Sequence, residues 1–237
     1  MISEHCRTIL VLSPLIITLA CAENAAEAGV TVLGPSEYVQ FSDSPFDSQT
    51  LSWFYLEDFE DGSLNTLGVA ASAGAVNAPS SSTDSVDADD GIIDGFGAGG
   101  HSYHYYVPGR PGVTFTFDDT QLGALPTHVG LVLTDSTPTG GNTTITFFDS
   151  AGGTLALFDP YDARTGANTA TAGDRFFGVI AAGGVSSIKI SDAGYAFELD
   201  HLQYGYFNAV PEPGSIAMIG SFGLMSLAYR RRRQSPR

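Results

Sequence analysis

The chain has few cysteines and few charged residues, and these shortages exclude several classes of protein. Its two cysteines, Cys6 and Cys21, both lie in the first 28 residues. If that segment is removed after export, the rest of the chain has no thiol. A disulfide framework, a cysteine metal site and a cysteine nucleophile are then excluded. Charged residues make up only 15% of the chain, well below the usual share of about a quarter.

Positive charge is nearly absent from the body of the chain. Residues 29–209 contain 22 acidic and four basic residues, a formal net charge of 4 − 22 = −18. Such a surface repels phosphate backbones, because nucleic-acid affinity depends on Lys and Arg contacts. The composition therefore argues against a nucleic-acid partner. It fits either a solvated acidic surface or carboxylates that bind divalent cations.

The chain also lacks the short motifs that identify common enzymes. It contains no G-x-S-x-G, no H-E-x-x-H, no Walker loop and no dinucleotide fingerprint after a strand. The many acidic residues leave open a carboxylate pair for glycoside hydrolysis. We therefore expect a non-catalytic protein, with a secreted polysaccharide hydrolase as the alternative.

The N terminus has an apolar run that is too short to span a membrane. Ile9–Ala20 is twelve residues long, and two A-x-A patterns follow it before residue 29. This arrangement predicts a cleaved signal peptide over residues 1–28 rather than a membrane helix. A lipoprotein signal with Cys21 acylated is the alternative, although Leu19 falls one position later than that pattern expects.

Helical periodicity is missing from residues 29–209, where short apolar or alternating runs are separated by glycine-rich turns. Val113–Phe117, with the sequence V-T-F-T-F, alternates with a period of two, as a half-buried strand does. Such spacing predicts an all-β domain, an antiparallel β-sandwich or jelly roll. The predicted strands are Val30–Leu33, Tyr38–Phe41, Leu51–Glu57, Val113–Phe117, His128–Leu133, Thr143–Phe148, Thr154–Phe158, Arg175–Ile180, Val185–Ile190 and Ala196–Tyr204.

One segment, residues 70–100, lacks β-branched runs, and we expect it to form a long acidic loop. It contains D-A-D-D-G-I-I-D, in which four carboxylates fall within eight residues. Closely packed oxygen ligands suit Ca²⁺, although the spacing differs from that of an EF-hand. A solvated acidic loop is the alternative. The four candidate ligands are Asp87, Asp89, Asp90 and Asp94.

Two short motifs in the body resemble the galactose-binding-like jelly rolls of carbohydrate-binding modules. They are an early F-E-D-G and a late F-E-L-D-H-L. In that family the first and last strands lie side by side, and an early acidic residue and a late Asp often hold a structural Ca²⁺. The resemblance implies that Glu60, Asp61 and Asp200 hold Ca²⁺, while His201 departs from the family's pattern. Plain strand alternation explains the same residues without a metal.

An aromatic cluster, H-S-Y-H-Y-Y at residues 101–106, follows the acidic loop. On a strand, His101 and His104 point to opposite faces, which argues against a transition-metal pair. Exposed tyrosines beside an acidic loop would suit carbohydrate stacking, and a strand with half-buried tyrosines is the alternative. The candidate ligand-binding residues are Tyr103, Tyr105 and Tyr106.

The C-terminal stretch has three parts in a fixed order. V-P-E-P is followed by a mostly apolar segment, Ser215–Tyr229, and then by four arginines, Arg230–Arg233. Proline disfavours helix, so the first part stays extended, and the arginines are expected to stay cytoplasmic. The apolar segment is short against the ~20 residues of a stable span. This length predicts a transient transmembrane helix, with an ordinary membrane anchor as the alternative.

These three parts together resemble the PEP-CTERM sorting signal, with Pro211, Glu212 and Pro213 as its core. The resemblance implies recognition by an exosortase, a membrane-embedded cysteine transpeptidase or protease, and export linked to exopolysaccharide or biofilm matrix. We therefore expect an exported protein of the cell surface or extracellular matrix, membrane-anchored before its tail at residues 210–237 is processed. The domain would associate with polysaccharide or matrix partners, or it would serve a purely structural role.

Overall fold

A computed structural model describes residues 29–106, 112–136, 143–161, 170–192 and 196–207. Within these ranges, twelve strands form two antiparallel sheets, joined by three short 3-10 turns and a four-residue helix, α1 (Asp119–Leu122). The strands are β1 (Val30–Glu37), β2 (Trp53–Glu57), β3 (Val69–Ala71), β4 (Ala75–Asn77), β5 (Ser102–Tyr106), β6 (Val113–Phe117), β7 (His128–Ser136), β8 (Thr143–Phe148), β9 (Thr154–Tyr161), β10 (Arg175–Ala181), β11 (Ser187–Asp192) and β12 (Ala196–Tyr206).

The first sheet has the strand order β1-β10-β7-β12-β5-β4, and β2 also pairs with β12. β12 is eleven residues long. Its first half pairs with β5, its second half pairs with β2, and β7 runs along its other edge. The first strand, β1, pairs with β10, so the first and last strands do not lie side by side, and this expectation from the resemblance to carbohydrate-binding modules is wrong. Instead, an early strand, β2, lies beside the last strand. This arrangement brings the F-E-D-G turn after β2 close to the middle of β12.

The second sheet has the order β3-β6-β11-β8-β9. Its strands alternate as their sequences predict. In β6, Val113, Phe115 and Phe117 are buried, while Thr114 and Thr116 face outward. The inward-facing side chains of both sheets pack against each other and form the main core. The β-sandwich predicted from the sequence is thus confirmed.

Loops cover the middle of the outer face of the first sheet, so its central strands β10, β7 and β12 are buried on both faces. A second apolar cluster lies there and contains Tyr38, Phe46, Val86, Val132 and Phe176. In consequence, every residue of β12 except its two ends is buried. The polar residues that β12 turns away from the main core are therefore buried as well, and they provide the candidate site.

The structure corrects the predicted strands at two places. Tyr38–Phe41 is not a strand, because Tyr38 leads into the covering loop and a 3-10 turn begins at Phe41. The predicted loop over residues 70–100 contains part of β3, all of β4 and a 3-10 turn, Asp87–Asp90. β3 and β4 have only three residues each, and pairing with β6 and β5 compensates for their weak local preference.

Among the described residues, no helix has the length and hydropathy needed to cross a membrane. The predicted signal peptide over residues 1–28 and the predicted transmembrane segment over residues 215–229 lie outside the described residues.

Truncation of a core aromatic residue tests this packing. Phe115 is fully buried between the sheets. We expect Phe115→Ala to lower the free energy of unfolding by about 3–5 kcal/mol, because it removes buried apolar surface and leaves a cavity. Thr116→Ala is the matched control, since Thr116 is exposed on the same strand, and it should change stability by less than ~0.5 kcal/mol. Urea denaturation of the purified exported protein measures both; equal losses would contradict the assigned faces of β6.

Candidate functional site

The loop before β5 folds back over β12, and two carboxylates of β12 hold it there. The loop residues from Thr83 to Asp87 are all buried. The backbone N–H of Asp84 donates to Oε2 of Glu198 at 2.6 Å, and that of Val86 donates to Oδ2 of Asp200 at 3.0 Å. Buried backbone amides need partners, and here alternate side chains of a strand provide them. The final strand therefore fixes the path of the acidic loop.

A group of three potential metal ligands lies at the centre of this contact. One ligand atom each from Asp89, Asp200 and His201 lies within 4.8 Å of the others. Asp200 is fully buried. Burial, together with the charge of Asp89, raises the pKa of Asp200 well above its ordinary value. Two carboxyl groups this close must share either a proton or a cation, because two bare charges repel each other.

A chain of hydrogen bonds orients His201. Nε2 of Gln203 donates to the hydroxyl of Tyr38 at 2.9 Å, and that hydroxyl lies 2.8 Å from Nδ1 of His201. Burial raises the pKa of Tyr38, so its hydroxyl stays protonated and donates to Nδ1. Nε2 of His201 then carries the ring proton and donates to Oδ1 of Asp89 at 3.1 Å. Both nitrogens of the imidazole thus already have hydrogen-bond partners. The carboxylate oxygens are therefore the available metal ligands.

Glu60 lies near Asp89, and Gly100 is close to both side chains. A side chain at Gly100 would meet Oε1 of Glu60 and Cβ of Asp89, each at 3.0 Å. Oε1 of Glu60 accepts the backbone N–H of His101 at 2.6 Å. Burial raises the pKa of Glu60, and the charge of Asp89 adds to this effect. The structure thus places Glu60 near Asp89, although it is not one of the three grouped ligands, Asp89, Asp200 and His201.

Asp61, the remaining residue of the F-E-D-G motif predicted to hold Ca²⁺, is exposed and is engaged in its own turn. Its carboxylate accepts the backbone N–H of Ser63 at 2.9 Å and the side-chain amide of Asn65 at 2.6 Å. The buried Glu57 holds the same turn through the backbone amides of residues 59, 65 and 66. The turn therefore presents Glu60, rather than Asp61, to the acidic loop.

The four carboxylates of the acidic loop do not act as one set. Asp87 accepts backbone N–H groups of residues 94 to 96, Asp90 accepts that of Ile92, and Asp94 accepts that of Phe96. These three side chains fold the loop on itself. Within the described ranges, the group of metal ligands around β12 includes only Asp89 from this segment. Cation binding by Asp87, Asp90 and Asp94 stays a prediction.

The aromatic cluster forms β5, and its tyrosines face different surroundings. Tyr103 and Tyr105 are only 4% and 6% exposed and belong to the main core. A ring enclosed in this way cannot stack on a sugar, which corrects the expectation for these two residues. Tyr106 is 60% exposed and stacks on His104, with the ring centroids 6.2 Å apart and 9° between the ring planes. The exposed aromatic surface of β5 therefore consists of Tyr106 with His104.

The sequence motifs did not indicate a second set of buried carboxyl groups. Asp84, Asp174 and Glu198 are each at most 5% exposed. Burial, with nearby acidic charges, raises the pKa of Asp84 to about 9 and that of Glu198 to about 7. Glu198 shares a strand face with Asp200, a signal that alternation could have revealed. Asp84 and Asp174 gave no signal, because their burial depends on contacts between distant segments.

Comparison with solved structures gave a similarity to a carbohydrate-binding protein. The structure is similar to the C-terminal family 22 carbohydrate-binding module of Clostridium thermocellum Xyn10B, with a TM-score of 0.37 and 12% sequence identity. The similarity covers 69% of this chain and 99% of that module. A search of curated proteins found no match.

The C-terminal stretch matches a family of sorting signals. Residues 209–233 match the PEP-CTERM protein-sorting motif. The match includes the P-E-P core, the apolar segment and all four consecutive arginines, and it begins shortly after β12 ends at Tyr206. The chain therefore carries a PEP-CTERM protein-sorting motif and is an exported protein of the cell envelope that is sorted by an exosortase.

Proposed function

We propose that the β-sandwich is a non-catalytic, cation-stabilised module that associates with polysaccharide of the cell surface or extracellular matrix. The observation that carries this proposal is the short distance along the chain between the fold and the sorting motif. β12, the central strand of the site, ends at Tyr206, and the motif begins at residue 209. The folded module is therefore the cargo that the sorting signal delivers to the cell envelope.

The burial of the paired carboxyl groups supports a non-catalytic role. A glycoside hydrolase needs two carboxyl groups, about 5–10 Å apart, that both reach the sugar. Asp200 is fully buried, and the side chain of Asp89 is only 11% exposed. The acidic loop and β12 enclose this pair. Neither group can contact a polysaccharide chain unless the loop is displaced.

The same pair supports stabilisation by Ca²⁺. Oδ2 of Asp89 is buried and has no hydrogen-bond partner among the described residues. Asp89, Asp200 and Glu60 offer the hard oxygen ligands that Ca²⁺ prefers. These residues would hold the ion, and the ion would neutralise the pair. Binding would then join the acidic loop, the turn after β2 and β12.

The exposed end of β5 supports contact with polysaccharide. β4 pairs with β5 only from Ser102 to His104, so nothing pairs with Tyr106 on that side among the described strands. The outer ring face of Tyr106 and the imidazole of His104 together offer an apolar surface with a polar edge. Amphipathic aromatic surfaces of this kind suit sugar rings, which have both apolar faces and hydroxyl edges.

Replacing Tyr106 tests the polysaccharide contact. We expect Tyr106→Ala to weaken binding to exopolysaccharide from the producing cells by roughly 30-fold, because a central aromatic contact is worth about 2 kcal/mol. Leu157→Ala is the control, since Leu157 is also exposed but belongs to the other sheet. Affinity electrophoresis measures both variants. If the unaltered protein binds no polysaccharide, with or without Ca²⁺, the module has a purely structural role.

A further inference from the structure

Asp174 is a buried carboxyl group that forms no side-chain hydrogen bond with the part of the chain that the structure describes. It lies directly before β10 and is 0% exposed. Neither of its carboxylate oxygens has a hydrogen-bond partner among the described residues. Such a group is costly, because burial without a hydrogen bond or a counter-charge removes the carboxylate from water without compensation. The carboxyl group of Asp174 therefore needs a further partner at this position.

Two further oxygen atoms in the same place also lack partners. The ladder between β10 and β7 pairs Arg175 with Leu133, so Asp174 and Thr134 are the next residues across from each other. Oγ1 of Thr134 is buried and unpaired, as is Oδ1 of Asp84 in the covering loop, within the part of the chain that the structure describes. Asp84 is the charged group that contributes most to raising the pKa of Asp174. The covering loop, β7 and the start of β10 thus each contribute unpaired oxygen atoms to one buried region.

The charge of one nearby basic side chain, Arg175, offsets only part of the effect of burial on the pKa of Asp174. Nη1 of Arg175 donates to the backbone oxygens of Ala172 and Asp174, at 3.0 and 2.7 Å, and Nη2 lies 3.8 Å from Glu37. The other described basic residue, Lys189, is on β11 in the second sheet. Neither guanidinium nor ammonium donates to the carboxylate of Asp174.

Protonation alone does not satisfy the hydrogen-bonding needs of these buried carboxyl groups. A protonated carboxyl group gains an O–H donor, which needs an acceptor when it is buried. The neighbouring Glu198 shows what a satisfied carboxylate looks like here. It accepts from the backbone of Asp84, the hydroxyl of Ser102 and the side-chain amide of Asn77. Among the described residues, Oδ1 of Asp84 and both oxygens of Asp174 lack such donors, although these side chains are as deeply buried as Glu198.

We propose that Asp84 and Asp174 bind a Ca²⁺ ion in a second site, with the hydroxyl of Thr134 as a neutral ligand. Ca²⁺ takes carboxylate, hydroxyl and water oxygens in flexible geometry. It supplies both the positive charge and the partners that these oxygens lack. The site joins the covering loop to β7 and β10, whereas the Asp89–Asp200 site joins the same loop to β12. It does not depend on the proposed function.

Calcium binding by single variants tests the second site. We expect equilibrium dialysis of the purified exported protein with ⁴⁵Ca²⁺ to show that Asp174→Asn binds one ion fewer per chain, or binds it roughly 10- to 100-fold more weakly. Asp174→Asn should also melt at a higher temperature than the unaltered protein in chelator, because it removes a buried charge, and should gain less from added Ca²⁺. Asp47→Asn is the control, since Asp47 is exposed, and it should bind as the unaltered protein does.

The outcomes separate the two sites. If Asp89→Asn leaves the number of bound ions unchanged while Asp174→Asn lowers it by one, the second site stands and the Asp89–Asp200 site is refuted. Unchanged number and affinity of bound ions in Asp174→Asn would overturn the second site. Should Asp174→Asn fail to fold, Thr134→Val replaces it, because this change removes only the hydroxyl. We then expect affinity for one ion to fall several-fold, and an unaltered affinity would overturn the proposal.

Discussion

Replacing Glu212 with alanine should leave the exported protein unprocessed. Glu212 is the charged residue of the P-E-P core, within the matched residues 209–233. Proline disfavours helix, and we expect the exosortase to recognise the carboxylate between the two prolines directly. Loss of one partner of a hydrogen-bonded charge pair costs about 2 kcal/mol or more, and we expect processing to slow by at least roughly 30-fold.

Immunoblots of membrane and extracellular fractions measure this effect. In cells producing Glu212→Ala, the longer precursor should accumulate in the membrane fraction, while the mature form should almost disappear. Ser235→Ala is the control, because Ser235 lies beyond the matched residues, and its processing should be unaffected. Normal processing of Glu212→Ala would show that the carboxylate takes no part in recognition and that the prolines alone mark the site.

Removal of divalent cations at pH 8.5 should lower the melting temperature of the purified exported protein by about 5–10 °C. A ligand at 100 times its dissociation constant stabilises the folded state by about 2.7 kcal/mol, and each kcal/mol shifts the midpoint of a domain of this size by about 2–4 °C. Several buried carboxyl groups would lose their counter-charge together. Differential scanning calorimetry with EDTA, and again after an excess of CaCl₂, measures the loss and its recovery.

The effect of the chelator should grow with pH. Burial raises the pKa of Asp84 to about 9 and that of Glu198 to about 7, while it raises the pKa of Asp174 and Asp200 well above the ordinary value. A carboxyl group with a raised pKa in the folded state contributes stability that is full below its unfolded pKa, about 4, and is lost as pH rises through the folded pKa. Without a cation, the protein should therefore be less stable at pH 8.5 than at pH 6.5.

Two histidines affect the stability of the protein at the lower pH of this comparison. Burial lowers the pKa of His104 and His128. Stability is then lost as pH falls below the unfolded pKa of histidine, about 6.5, because the unfolded chain binds the proton more tightly. At pH 6.5 the two histidines therefore already lower the stability, which opposes the effect of the carboxyl groups, so a lower stability at pH 8.5 is due to the carboxyl groups. Equal midpoints with and without chelator at pH 8.5 would remove the cation from both proposed sites.

Much of the fold could be predicted from local pattern. The predicted bounds of Val113–Phe117 and Thr143–Phe148 agree with β6 and β8, because strict alternation over five or six residues needs no tertiary information. β3 and β4 were missed because their short alanine-containing segments have little preference for strand by themselves. Pairing with a neighbouring strand stabilises them. Tyr38–Phe41 was mistaken for a strand because its apolar residues pack on the outer face of the first sheet rather than into a ladder.

The candidate site shows the same division. The resemblance indicated Asp200, which the structure groups with Asp89 and His201, and it indicated Glu60, which lies near Asp89. The choice of Asp89, rather than its three neighbouring carboxylates, followed from the path of the loop across β12. Two of the three candidate tyrosines turned out to be core residues, because the sequence does not show which face of β5 the second sheet covers.

By itself, the sequence determined that the protein is exported, that it carries a PEP-CTERM sorting motif, and that its body is an acidic β-sandwich. These properties depend on linear motifs, composition and a period of two, all of which can be read along the chain. Only the tertiary structure decided which carboxyl groups lose contact with water. Asp84 and Asp174 look like any other acidic residues in the sequence, and the covering of one sheet face by a distant loop makes them candidate cation ligands. The same covering encloses Asp89 and Asp200, which sequence motifs had already indicated.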